Sequence, residues 1–252
     1  MWSCEPLCIH LHTWEHDRQG SPHVEKRQTS QQLQMRRHLR ATPHYVDKGE
    51  KPQVTRVLPQ SFYARHPVTV ARELLGQLLV RELDGTVLVG RIVETEAYLA
   101  GDDPANHASR GRTARNAAMF GPPGHAYVYA IHRSCCLNVV TEAEGVASAV
   151  LIRAVEPLVG IAVMQKRRGT TRLRDLVRGP GRLCQAFAVD RTLNHWDMTQ
   201  GKALWIARPR PCRPYEVAVT PRVGVTAARE LLLRFFIVAN PFVSPGPRDV
   251  PR

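Results

Sequence analysis

From Leu58 onward the chain alternates helical and strand-like patterns of apolar and polar residues. Val70, Leu74 and Leu75 share one side of a helix over Val68–Leu75, and Gly76 supplies a left-handed stop. Gln77–Leu83 and Thr86–Thr95 read as strands around Asp84-Gly85, a dipeptide suited to a tight hairpin turn. The second strand runs on into Glu96-Ala97-Tyr98. A period of two puts Glu94, Glu96 and Tyr98 on one face and Val93, Thr95 and Ala97 on the other.

Residues 99–124 form a long polar loop, of a length that is functional or mobile in compact domains. Ala126–Ile131, Leu137–Thr141 and Ala147–Val155 have strand patterns, and Pro157 opens a predicted helix of about a dozen residues. The basic stretch Arg167–Arg178 leads through Gly179-Pro180-Gly181 into an apolar helix over Arg182–Val189. Further strands are predicted at Ala203–Ala207, Val223–Val225 and Arg234–Val238. Helices and strands mix without a regular βαβ rhythm and without repeats, which predicts an α+β fold. Residues 1–56 hold six of the eleven histidines and no sustained periodicity. They read as a disordered extension without signal-peptide character. The folded domain is expected over residues 57–245, with a flexible tail over 246–252.

Composition changes this picture in two ways. Of the formal net charge of +13, +10 lies beyond residue 56, where arginine is abundant and Lys166 and Lys202 are the two lysines. Such a field attracts polyanions, although a codon bias towards arginine would produce the same count. The six cysteines show no metal-ligand spacing, apart from a weak Cys4, Cys8, His10, His12 group, and no apolar run reaches the length of a membrane span. A reduced, cytoplasmic protein without cofactor or metal is expected.

The strand-end carboxylates carry the candidate chemistry. Glu96 can activate water and stabilise an oxocarbenium-like state; alone, a strand-end Glu is more often just solvated. Glu94 competes for the role, with a salt bridge to an arginine as its plainer expectation. Tyr98, Tyr127 and Tyr129 can wall a slot for a flat group, or simply pack in a core. Asn138 can read a base edge or cap a turn; His107 lies in the polar loop. Arg110, Arg112, Arg115 and Asn116, with the Gly121-Pro122-Pro123-Gly124 turn, are candidate phosphate contacts. Neither lysine lies near the Glu96 strand in sequence, which favours water over an amine as nucleophile.

Several of these residues fall within longer strings: Ala71-Arg72-Glu73-Leu74-Leu75-Gly76, Gly90-Arg91-Ile92-Val93-Glu94-Thr95-Glu96-Ala97-Tyr98, Met119-Phe120, Gly124-His125-Ala126-Tyr127-Val128-Tyr129, Cys136-Leu137-Asn138-Val139-Val140, Leu151-Ile152-Arg153-Ala154-Val155-Glu156-Pro157 and Gly179-Pro180-Gly181-Arg182-Leu183-Cys184-Gln185-Ala186. From about Leu58 to Val243 the chain resembles the alkyladenine (3-methyladenine) DNA glycosylases of the bacterial branch. The resemblance implies a single compact domain on a curved, mainly antiparallel, open-barrel-like sheet with flanking helices. It implies a monomeric, monofunctional base-excision-repair enzyme of the cytoplasm and nucleoid that needs no metal. Such an enzyme flips alkylated purines such as 3-methyladenine, and in many members hypoxanthine and ethenoadenine, out of duplex DNA and excises them. By motif, Glu96 activates the water and Arg153 lies beside it. Tyr98, His107 and Tyr129 line the pocket, and Asn138 screens the purine edge. Met119 and Tyr127 join Arg110, Arg112, Arg115 and Asn116 as DNA-backbone contacts.

Two positions depart from the family pattern. Relatives carry a wedge tyrosine after the Tyr-Val-Tyr string, where this chain has Ala130-Ile131-His132-Arg133-Ser134; His132 falls nearest that position. Asn106 replaces a small residue beside His107 and is expected to narrow or re-polarise the pocket. With no evident acid for the leaving base, neutral lesions are expected to react more slowly. The alternative is a catalytically weak or inactive protein that binds lesions without releasing a base.

Overall fold

The computed structural model describes residues 53–131, 133–210 and 214–246. Almost all of the expected extension and tail, the Cys4–His12 group and the expected wedge His132 lie outside the described residues. The first described element is strand β1 (Gln53–Val57), ahead of the expected boundary at Val57. The short helix α1 (Gln60–Tyr63) and helix α2 (Pro67–Leu74) follow. The latter ends before Gly76, whose φ of +79° provides the left-handed stop.

Strands β2 (Leu78–Leu83) and β3 (Thr86–Tyr98) form the expected hairpin, with positive φ at both Asp84 and Gly85. Strands β4 (Ala126–Ile131) and β5 (Ser134–Val140) make a second hairpin, and β6 (Ala149–Val159) returns beside β3. After helices α3 (Ile161–Arg168) and α4 (Pro180–Phe187) come β7 (Leu204–Arg210), β8 (Val217–Thr220) and β9 (Arg234–Ile237). One curled antiparallel sheet results, in the order β1-β7-β2-β3-β6-β5-β4. β3 is its spine. One edge pairs with β6 throughout; the other pairs with β2 as far as Arg91 and with β9 over Glu94–Glu96. The α+β expectation and the curved sheet both hold.

The two faces of β3 divide the molecule. Val93 and Ala97 enter the main core with Val70, Ala71 and Leu74 of α2 and Leu183, Ala186 and Phe187 of α4. Thr95 on that face donates its hydroxyl to Ala71 O at 2.9 Å. Glu94, Glu96 and Tyr98 take the other face. A smaller core of Ala118, Met119, Tyr127, Val140, Ala147 and Ala149 lies beneath the 99–124 loop.

Three predicted elements differ. Pro157 lies inside β6 opposite Gly90 and opens no helix. Its neighbour β5 pairs β6 only at Ala149–Leu151, so the missing N–H falls on an unpaired edge beside a register shift. α3 starts instead after Gly160, at φ +78°. Val223–Val225 is irregular chain, and the strand lies before it as β8, in a segment without a predicted element.

Close packing of β3 on α4 gives a direct stability test. A Cβ on Gly90 would lie 2.6 Å from Val155 Cγ2 and 3.1 Å from Phe187 Cζ. Gly90→Ala is expected to lower unfolding free energy by about 1–3 kcal/mol through overpacking, read from the urea midpoint.

Candidate active site

Two compensating irregularities in the β3–β6 ladder create the site. The register runs Ile92↔Val155, Glu94↔Ala154, Thr95↔Ile152, so Val93 on one strand and Arg153 on the other each lack an opposite residue. Such bulges re-aim side chains. Arg153, nearly buried, reaches across to both carboxylates: Nε donates to Glu94 Oε1 at 3.0 Å and Nη1 to Glu96 Oε2 at 3.2 Å.

The two carboxylates are equally buried but differ in what they accept. Glu94 takes Arg153 Nε, Arg234 Nε (2.7 Å) and Ser244 Oγ (2.8 Å) on Oε1, and Ser244 N (2.7 Å) on Oε2. Four donors equal the number of lone-pair sites on a carboxylate, with three crowded on Oε1 and one on Oε2. Glu96 takes three: Arg153 Nη1, the Tyr98 hydroxyl (3.1 Å) on Oε2, and Val223 N (2.7 Å) on Oε1. One acceptor position therefore remains, on Oε1. The arginine partner expected for Glu94 is present twice over.

Aromatic residues extend from Glu96. Tyr98 is half-buried, and burial together with the adjacent Glu96 holds its phenol far above the usual value, so it acts as a donor. His107 meets Tyr129 edge-on with 4.5 Å between ring centroids, and its Nδ1 hydrogen-bonds with the Tyr127 hydroxyl at 2.8 Å. Burial and the nearby Arg115 lower the His107 imidazole, which keeps it neutral near neutral pH. Burial pushes the Tyr127 phenol up to about 12. Asn138 is buried one ladder rung away, its Nδ2 donating to Tyr127 O at 3.0 Å.

Several expected positions turn inward instead. Asn116 is buried, donating to His107 O and Gly111 O and accepting from Thr113 N. Its amide braces the loop and leaves nothing for a phosphate. Met119 and Tyr127, also expected at the DNA backbone, are core residues. Asn106 neither narrows nor re-polarises the slot: its amide is consumed by Leu99 O, Ala147 O and Ala108 N. Arg110, Arg112 and Arg115 are exposed as expected, Arg112 lying over the Phe120 ring. Among the described residues no cluster of His, Cys, Asp or Glu could hold a metal, and no helix is long and apolar enough to cross a membrane.

Sequence reasoning missed Asp103, Arg222, Val223, Arg234 and Ser244. Arg234 left a visible signal, a cation inside the apolar run Leu231-Leu232-Leu233-Arg234-Phe235-Phe236. Val223 acts through its main chain, which no residue type announces.

Glu94 makes stability depend on pH. Burial alone would raise its carboxyl, but Arg153, Arg234 and the Ser244 donors outweigh this and hold it below the usual value near 4.5. Its stabilisation is therefore complete above that value and is lost as pH falls through the lower, folded one. Glu94→Gln is expected to cost about 3–5 kcal/mol at neutral pH. In thermal unfolding, the gap to wild type should narrow as pH drops below 4.5.

The profile of the methylpurine-DNA glycosylase family matches residues 61–241. A protein of Carboxydothermus hydrogenoformans is 49% identical over 189 residues, covering 75% of this chain and 98% of its own. One of Methanoculleus marisnigri is 49% identical, covering 74% and 98%. One of Mesorhizobium japonicum is 45% identical over 210 residues, covering 82% and 97%. All three bear the name "Putative 3-methyladenine DNA glycosylase". With nearly all of the described chain matched, and a buried carboxylate near the end of β3 beside a cluster of tyrosines, the protein belongs to the methylpurine-DNA glycosylase family, DNA-repair hydrolases of N-glycosyl bonds.

Proposed function

We propose that the protein excises alkylated purines, 3-methyladenine foremost, from duplex DNA, with water as nucleophile and Glu96 as its base. The observation that carries this reading is the single acceptor position left on Glu96, on a carboxylate otherwise fixed by Arg153, Tyr98 and Val223. The lesion flips from the stack and lies among Tyr98, His107 and Tyr129, where aromatic contact replaces stacking in the duplex. As the C1′–N bond breaks, its electron pair leaves with the purine and positive charge builds at C1′. Water adds to C1′ and gives its proton to Glu96 Oε1.

Arg153 has two tasks. It offsets charge on both carboxylates, and together with Tyr98 it occupies Oε2, which leaves the open acceptor position on Oε1. A methylated, cationic purine leaves as a neutral base and needs no acid. Hypoxanthine and ethenoadenine leave well only when protonated, and the neutral His107, hydrogen-bonded to Tyr127, is a poor proton source. Slower excision of those lesions follows. Among the described residues no lysine pairs with Glu94 or Glu96, and with water as nucleophile base release leaves an intact abasic sugar.

Glu96→Gln keeps the volume and removes the base. Base release from methylated duplex should fall at least about a hundredfold, while the variant still binds the lesion duplex. Wild-type rates in a folded variant would sink the assignment.

Exposed Arg110, Arg112 and Arg115 are assigned to the DNA backbone. Replacing all three with alanine should weaken binding to lesion and plain duplexes alike. The slope of log affinity against log salt should become shallower by about 0.9 for each phosphate no longer neutralised. An unchanged slope would remove them from the interface.

A further inference from the structure

Arg222 and Asp103 form a fully enclosed pair beside the site, 119 residues apart in sequence. The guanidinium meets the carboxylate as a fork, Nη1 to Oδ2 at 2.6 Å and Nη2 to Oδ1 at 2.7 Å. Nη1 also donates to Ala97 O at 3.1 Å. Asp103 in turn accepts from Leu99 N and Ala105 N, both at 3.1 Å. The pair thus ties the end of β3 and the start of the 99–124 loop to the segment after β8.

That segment matters because it carries Val223. Between Thr220 and Arg234 the chain joins no ladder, yet Val223 N sits 2.7 Å from Glu96 Oε1. A short charge-assisted bond from irregular chain needs something to hold the chain still. The preceding residue does so through its fork. Arg222 also lies 4.7 Å from the centroid of the Tyr98 ring, whose hydroxyl donates to Glu96 Oε2. Its Nε is buried without a partner among the described residues.

We propose that Arg222, locked by Asp103, is a positioning residue for excision: it fixes the Val223 amide and the Tyr98 ring, and through them two of the three donors on Glu96. The inference rests on the base-excision reading above. It makes a distinct demand on pH. Glu96 is faced by Glu94 and Tyr98 from its own strand, Arg153 from β6, Tyr129 from β4, Cys136 from β5, and Arg222. A slack Val223 amide removes a donor to the ionised carboxylate while the other groups stay in place. The rate should then fail at a higher pH on the acid side.

Single-turnover release of base from methylated duplex is measured across pH, with lesion-duplex affinity and thermal unfolding alongside. The variants are Arg222→Lys, which keeps the charge and loses the fork, and the paired Asp103→Asn, Arg222→Gln, which removes both charges at once. The rate at the optimum is expected to fall about tenfold or more, and the acid limb to move up by about one pH unit. Affinity should change less than about threefold. A folded variant with a profile superimposable on wild type overturns the proposal. So does a loss that is uniform across pH and tracks the unfolded fraction. If either variant fails to fold, the other carries the comparison; two unfolded variants assign the pair to stability and overturn it too. A wild type that releases no base would overturn the excision reading itself, whereas an active wild type with indifferent variants overturns this inference alone.

Discussion

Arg153 between Glu94 and Glu96 is the contact on which the rest of the structure depends. Two carboxylates at alternate positions of one strand, both sealed from solvent, would repel each other in a medium that screens poorly. A guanidinium shared between them makes the arrangement tolerable, and it fits because Nε and Nη1 lie in one rigid plane and donate in different directions within it. A lysine could not span the pair in the same way. The ladder accommodates this by omitting one residue from each strand, which places the arginine between the acids.

The same contact divides the labour. Glu94 completes its coordination with Arg234 and with Ser244, which lies near the end of the described chain. Arg234 also donates to Ser244 O, and Arg178 to Val243 O, so the 240–244 segment is latched over the buried acid by its own carbonyls. Glu94, held in this way, in turn anchors Arg153 through its Nε. Glu96, two residues on, receives a main-chain amide in place of a second arginine. At equal burial the two carboxylates differ in donor number, four against three, and the proposed base is the one with fewer.

What was legible in the sequence was local. The Asp84-Gly85 hairpin, the glycine stop after α2 and the face shared by Glu94, Glu96 and Tyr98 follow from spacing and backbone preference over a few residues. What was not legible depended on neighbours far along the chain. Pro157 looks like a helix start until the ladder reveals an unpaired edge at that point. Asn106 looks like a pocket residue and Asn116 like a phosphate contact, yet each amide is spent on carbonyls of its own or a distant loop. Asp103 and Arg222 carry no local pattern at all.

Charge balance gives the proposed chemistry its direction. The enclosed groups number three acids, Asp103, Glu94 and Glu96, and three arginines, Arg153, Arg222 and Arg234, so the site is close to neutral before DNA enters. A methylated purine brings one positive charge. During cleavage that charge passes from the base to the sugar without any change in the total, and it ends nearer Glu96. An unmodified purine must instead create charge of both signs, and among the described residues nothing enclosed beside the slot is placed to supply its proton. In the proposed reaction the balance of buried charges thus acts in favour of cationic lesions before any shape contact with the base is considered.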